Sequence, residues 1–362
     1  MNDTIAGQRL ENQGLTRSRG RDPAGVVASL GAVQAQEYGP ARWALALRMR
    51  AGVTDGEIAR ACDEGRILRT HVMRPTWHFV APSDIRWMLA LTAPRVHQRL
   101  AVYMRRLELD ARTLTRGTKV FERALTNGRH LTRPELGERL ARGGIAIKGV
   151  RLALLTMYAE LEGVMCNGAR QGTQLTYALL AQRAPEARML PRDEALAELT
   201  RRYFTSHGPA TVRDFVWWSG LNTSDAKRGL EITRARQEQI DGLTYWTLGP
   251  TASGPVPAGR VDLLPIYDEY FVAYRDRDAV PHGIASNRSF ASRSLSFQNP
   301  LAVGGHVAGT WRSVRSRGGV TIQVIPQRRL TRGEREALDE AAARYGRFVE
   351  TPVSVSILKA VP

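Results

Sequence analysis

Three stretches share one local grammar: Val53-Thr-Asp-Gly-Glu-Ile-Ala-Arg-Ala61, Leu131-Thr-Arg-Pro-Glu-Leu-Gly-Glu-Arg139 and Ala210-Thr-Val-Arg-Asp-Phe-Val-Trp-Trp218. Each sets a Thr three residues ahead of an acid, with apolar residues on both sides. That is the capping-box pattern, in which the Thr hydroxyl and the acid satisfy the free backbone N–H groups of a helix start. Thr54, Thr132 and Thr211 stand 78 and 79 residues apart. Near-constant spacing predicts a repeated unit of that length.

The residues beyond each box fill out the unit. After the second comes a Gly143-Gly144 turn, then Arg151-Leu-Ala-Leu-Leu-Thr-Met-Tyr-Ala-Glu-Leu161 with apolar residues at helical spacing, and Gly163 as a C-terminal cap. Two short strand-like runs follow, Val164–Asn167 and Gln174–Tyr177. Helix, turn, helix, hairpin is the order of a winged-helix unit. After the third box, Trp217-Trp218-Ser-Gly-Leu221 ends one helix, Ser224–Ile232 forms the next, and Gly242–Leu248 reads as a strand. After the first, Ile67–Val72 and Thr76–Val80 alternate as a hairpin around Arg74-Pro75. From about Val256 short strands prevail: Val261–Ile266, Phe271–Tyr274, Leu301–Val307, Val320–Ile325 and Val353–Leu358, with one helix from Arg332 to Tyr345. Asp276–Ser294, rich in Arg, Ser and Asn, reads as an exposed loop. The expected fold is α+β, with three tandem winged-helix units and a β-rich C-terminal module. Their bounds fall at residues 1–110, 111–188, 189–252 and 253–362.

Length and charge narrow the class. A chain of 362 residues suits two or three modules at about 100–200 residues each. Cys62 and Cys166 lie far apart, without the paired spacing of a zinc site or a disulfide framework, which fits a reduced compartment, the cytoplasm. The first twenty residues lack an apolar core of the kind a signal peptide carries. Runs such as Trp87–Leu91 fall well short of the ~18 apolar residues of a spanning helix. The net charge is +17, and only four of the 52 basic residues are Lys, which leaves 48 Arg. Such a surface is drawn to polyanions, nucleic acid first; the plainer alternative is a solubilising charged exterior.

Residue types that do chemistry are few. The seven His show no zincin spacing, and no Gly-rich loop fits a phosphate or dinucleotide fingerprint, so neither metal nor cofactor is expected. His71 and His78 straddle the first hairpin turn. Asp268-Glu269, between Tyr267 and Tyr270, reads as a strand-end turn with solvated acids. The unusual segment is Gly31-Ala-Val-Gln-Ala-Gln-Glu-Tyr-Gly-Pro-Ala-Arg-Trp43. In an extended segment Gln34 and Gln36 project to one side, and Gly39-Pro40 marks a chain break.

The run Leu30-Gly-Ala-Val-Gln-Ala-Gln-Glu37 resembles the signature of the AlkZ-type winged-helix DNA glycosylases, in which Gln, a hydrophobic residue and Gln stand in order. Four more blocks are similar: Arg69–Val80, Phe215–Leu221, Leu263–Tyr270 and Asn299–Arg312. The resemblance implies a concave DNA channel and hydrolysis of the bond between a sugar C1′ and a base nitrogen. Guanine alkylated at N7 already bears positive charge and departs neutral, so no general acid is needed. What is left is to position one water and stabilise an oxocarbenium-like sugar. An amide carbonyl can do both.

Gln34 and Gln36 are therefore the expected catalytic pair, with Glu37 as a rival acceptor. Arg74, in the first hairpin turn, is a candidate for a groove or a phosphate. Arg42, Arg151 and Arg312 are DNA-binding candidates by their place in the similar blocks, and His78 and Tyr270 through the resemblance alone. A lyase would need an amine nucleophile; Lys148 is the best placed, and a phosphate contact suits it better. The expected protein is a monomeric, monofunctional glycosylase acting on double-stranded DNA that carries alkylated guanine. Its role would be DNA repair, crosslink unhooking or self-resistance. The alternative is a non-enzymatic winged-helix regulator, which would read base edges as a dimer.

Overall fold

The computed structural model describes residues 2–17, 20, 22–249, 256, 259–277 and 298–358. Most of the Asp276–Ser294 loop lies outside them. Among the described residues the fold is mixed α+β.

The N-terminal part begins with α1 (Asn2–Asn12) and α2 (Pro23–Leu30), then β1 (Val33–Gln34), α3 (Tyr38–Leu47), α4 (Asp55–Asp63), β2 (Leu68–His71), β3 (Trp77–Val80) and the long α5 (Ile85–Arg106). β3 lies between β1 and β2, antiparallel to both. The second part runs α6 (Ala111–Ala124), β4 (Leu131–Thr132), α7 (Arg133–Arg142), α8 (Arg151–Leu161), β5 (Met165–Asn167), β6 (Thr176–Leu179) and α9 (Leu180–Arg183), with sheet order β4-β6-β5. The third holds α10 (Arg192–Ser206), α11 (Val212–Ser219), α12 (Thr223–Thr233) and the hairpin of β7 (Arg236–Ile240) with β8 (Leu243–Thr247).

All three boxes close as complete capping boxes on α4, α7 and α11, with the Thr side chain accepting from the third helical N–H and the acid accepting from the Thr N–H. A fourth, Thr331 with Glu334, opens a helix of the C-terminal part. The motif therefore marks helix starts generally, beyond the repeat.

The C-terminal sheet has the order β13-β12-β11-β10-β9. Its elements are β9 (Val261–Leu263), α13 (Glu269–Val272), β10 (Asn299–Val303), β11 (His306–Ser316), β12 (Gly319–Pro326), α14 (Arg332–Phe348) and β13 (Val353–Ile357). α14 crosses over to make β12 and β13 parallel. Two expected strands differ. Phe271–Tyr274 begins inside the helical turn α13, because the Asp268 carboxylate accepts the Tyr270 N–H at 2.9 Å and the Asp268 carbonyl those of Phe271 and Val272. Leu301–Val307 is broken by the Gly304-Gly305 turn into β10 and the start of β11. β7 escaped the sequence reading because Arg236-Gln-Glu-Gln is polar and exposed.

One apolar core joins the N-terminal part to the C-terminal sheet. Trp43 packs edge-on to Tyr345 at 5.1 Å, and the Trp43 and Trp311 indoles donate to the carbonyls of Leu263 and Leu264 at 2.7 Å each. A second core gathers α5, α10, α11 and α12 around Trp87, Phe215 and Trp218. No helix among the described residues is long and apolar enough to cross a membrane.

Candidate active site

Gly31, at φ +84°, ends α2 and turns the chain into β1. Gln34 pairs with His78, and the next N–H, from Ala35, donates to the Trp77 carbonyl at 2.7 Å. Gln34 and His78 thus form a non-hydrogen-bonded pair, the closer kind, with both side chains on one face. β1 is the sheet edge, so the Gln34 N–H points away from β3. There Glu269 accepts it at 2.6 Å through Oε1. Its Oε2 accepts the Trp218 indole N–H at 2.9 Å and lies 3.4 Å from His207 Nε2.

Gln34 is 8% exposed, and its amide oxygen is buried without a hydrogen-bond partner among the described residues. Gln36 follows in a half-buried bend. The guanidinium of Arg69 clamps that bend, donating to the carbonyls of Ala35 at 2.9 Å and Gln36 at 3.3 Å while stacking over Trp77 at 4.4 Å.

Burial sets the charges. His78 is pushed down to about 3, by desolvation first and then by the Arg74 charge, so its ring is neutral at pH 7. Its Nδ1 lies 2.9 Å from the Thr76 carbonyl and donates there, leaving the Nε2 lone pair toward Arg74 Nη2 at 3.4 Å. Desolvation lowers Arg74 as well, partly offset by Glu269, but a guanidinium stays charged. Arg74 has no ion pair among the described residues, and its Nε is buried without a partner. Glu269 is held below the usual carboxylate range. Burial opposes this, but His207 and the Gln34 N–H outweigh it.

Asp268 and Glu269 are the clearest departure from the sequence reading. They are 1% and 0% exposed rather than solvated. Asp268 accepts two hydrogen bonds from buried Arg48, at 2.7 and 2.9 Å.

The other anticipated residues divide sharply. Arg42 is engaged twice by Asp55, at 2.7 and 2.9 Å, beneath the Tyr38 ring. Arg151 donates to the carbonyls of Ala146 and Leu107 and so ties α8 to the end of α5. Tyr270 is 1% exposed, and its hydroxyl donates to the Gly305 carbonyl at 2.7 Å; it lies in the core, out of reach of a macromolecular ligand. Lys148 is exposed in the loop before α8, and Glu37 is exposed at the start of α3. Arg312 is exposed on β11 beside Gln323, at 2.8 Å. Of the anticipated residues, Gln34, His78 and Arg74 are brought together, and Gln36 follows in the bend next to them, its carbonyl held by Arg69. The sequence reading missed Arg69 and Glu269, which hold that place together. Both sat inside the similar blocks, but nothing local named their partners.

A recess of about 150 Å³ lies between the first two parts, lined by Arg69, Trp77, Arg133, Glu160, Asn167 and Tyr177 among others. Strand alternation puts Trp77 and Arg69 on the sheet face opposite Gln34 and His78.

A net charge of +17 favours a polyanionic partner. Comparison narrows the class. The profile of the DNA glycosylase AlkZ-like family matches residues 27–348, and the chain belongs to that family. An interstrand DNA cross-link repair glycosylase of Streptomyces sahachiroi is 26% identical over 322 residues, covering 84% of this chain and 86% of the relative. The solved structure of the Streptomyces sahachiroi DNA glycosylase AlkZ superposes with a TM-score of 0.78 at 22% identity, over 98% of this chain and 99% of that one. At that identity the superposition establishes a shared fold.

Proposed function

We propose that the protein is a monofunctional DNA glycosylase that hydrolyses the N-glycosidic bond of cationic N7-alkylguanine adducts in double-stranded DNA, bulky genotoxin adducts and crosslinks included. The observation that carries this reading is the buried, unpartnered amide oxygen of Gln34 beside neutral His78 and Arg74, which has no ion pair among the described residues. That oxygen accepts a hydrogen bond from the attacking water or faces the cationic sugar, and Gln36 holds the water from its second side. The main chain of both residues is fixed beforehand, by Glu269 and Arg69.

The electrostatics support the choice of lesion. At neutral pH His78 carries no proton on Nε2 to give, and Glu269 is ionised and turned to the main chain. Neither protonates a leaving base. The departing base must therefore arrive already activated, as an N7-alkylated guanine does. Arg74 meets a phosphate near the lesion, and exposed Arg312 and Lys148 meet others; such contacts give grip without sequence preference.

In this reading the parts built on α4, α7 and α11 are tandem winged-helix units, and with the C-terminal sheet they line a concave DNA channel in a monomer. Family membership weighs against a binding-only regulator. The test is incubation with duplex DNA containing 7-methylguanine, a bulky N7 adduct or an uncharged lesion such as uracil. Abasic sites should accumulate from the first two, and strands should break only after alkali. Excision of uracil at a matching rate would overturn the leaving-group argument, and breakage without alkali the monofunctional assignment.

A further inference from the structure

The tandem tryptophans of α11 divide their labour. Trp218 is buried and donates to Glu269. Trp217 is 37% exposed, a large apolar ring left at the surface. Its indole N–H donates to the Val272 carbonyl at 3.0 Å, which fixes the ring plane. Two guanidiniums lie over it, Arg275 at 5.3 Å and Arg74 at 5.9 Å from the ring centroid. Arg275 is exposed and, like Arg74, has no ion pair among the described residues.

The ring's position relative to the amide pair is also fixed. α11 ends at Gly220, whose backbone has φ +72°, and a Cβ there would fall 2.0 Å from the Met73 carbonyl oxygen. Only glycine lets the helix end press against the turn that carries Arg74. Trp217 is thereby held one guanidinium away from His78, which faces Gln34.

We propose that Trp217 is a stacking platform for a nucleobase beside the lesion, with Arg74 and Arg275 meeting the phosphates on either side. The inference rests on the glycosylase reading and adds a binding subsite to it. A rigid, partly exposed indole attended by two guanidiniums on long side chains matches a base and the anionic phosphates next to it. A base becomes available for stacking where damage has opened the duplex stack. Phosphate contacts do not distinguish a lesion from intact DNA; a stacking surface does.

The test uses the full-length chain and two duplexes, one intact and one with a single tetrahydrofuran abasic analogue. Trp217→Ala should weaken binding to the abasic duplex about tenfold, as expected for loss of one base–aromatic stack. Binding to intact duplex should change by less than about twofold, because the phosphate contacts persist. Trp217→Phe keeps a ring but no N–H, and should restore most of the affinity. Tryptophan fluorescence should be quenched when the wild type binds the abasic duplex, and less so in Trp217→Phe. Two outcomes would overturn the proposal: unchanged abasic binding in Trp217→Ala, or Trp217→Phe as weak as Trp217→Ala, which would assign the indole to holding Val272. Failure of the wild type to excise 7-methylguanine would overturn the functional reading instead.

Discussion

The carboxylate of Glu269 accepts the main-chain N–H of Gln34 at 2.6 Å, across 235 residues of sequence. An edge strand of two residues has little to hold it, and this contact fixes it from the side that β3 cannot reach. The same carboxylate takes the Trp218 indole N–H. In the proposed mechanism Glu269 is thus a positioning residue, acting on the amide oxygen through the backbone that carries it.

Glu269→Ala strips an acceptor from two buried donors and frees β1. Single-turnover excision of 7-methylguanine should fall on the order of 10²-fold, the cost of a displacement near 1 Å at a reacting group. Affinity for an abasic duplex should hold, and Glu269→Gln, which keeps an acceptor oxygen, should recover part of the rate. Equal losses of rate and binding in both variants would mark Glu269 as merely structural.

The Arg48–Asp268 pair carries stability. Both side chains are almost fully buried, and Arg48 also donates to the Ala44 carbonyl and to Gln13. Removing one partner strands the other's charge, so Asp268→Ala should cost about 3–5 kcal/mol in urea unfolding. The double variant Arg48→Met with Asp268→Leu should lose less than Asp268→Ala alone. A double variant at least as unstable as that single one would contradict the buried-charge account.

His78 predicts an acid sensitivity of known sign. Its pKa is about 3 when folded, against 6.5 ordinarily. Between those values the unfolded chain binds a proton that the folded chain does not. Stability is therefore complete above about pH 6.5 and falls as pH drops through that window. From pH 7.5 to 5.0 the wild type should lose about 2 kcal/mol more than His78→Gln, at ~1.4 kcal/mol per unit of depressed pKa. His207, also lowered by burial, is common to both proteins and cancels. Equal losses would contradict a neutral, desolvated His78.

What the sequence made legible was local. α8 spans Arg151–Leu161, the stretch picked out by its spacing, and the boxes at Thr54, Thr132 and Thr211 close within four residues each. Such signals are complete before the chain folds. The amide pair was visible for another reason, the resemblance of its short motif. Glu269 looked like a solvated acid because its partners, Gln34, Trp218 and His207, lie in other parts of the chain. Arg69 was one arginine among 48, and only the fold sets it against the Ala35 and Gln36 carbonyls. Arg151 and Tyr270 drew notice through the resemblance, yet their polar groups meet backbone carbonyls of the protein itself.

The central claim is that two neutral amides suffice to release a base that alkylation has already activated. The direct measurement is single-turnover excision of 7-methylguanine from duplex DNA by Gln34→Ala and Gln36→Ala, with affinity for an abasic duplex measured alongside. Each rate should fall on the order of 10²-fold or more, with affinity within about threefold of wild type. Excision at the wild-type rate by both variants would contradict it.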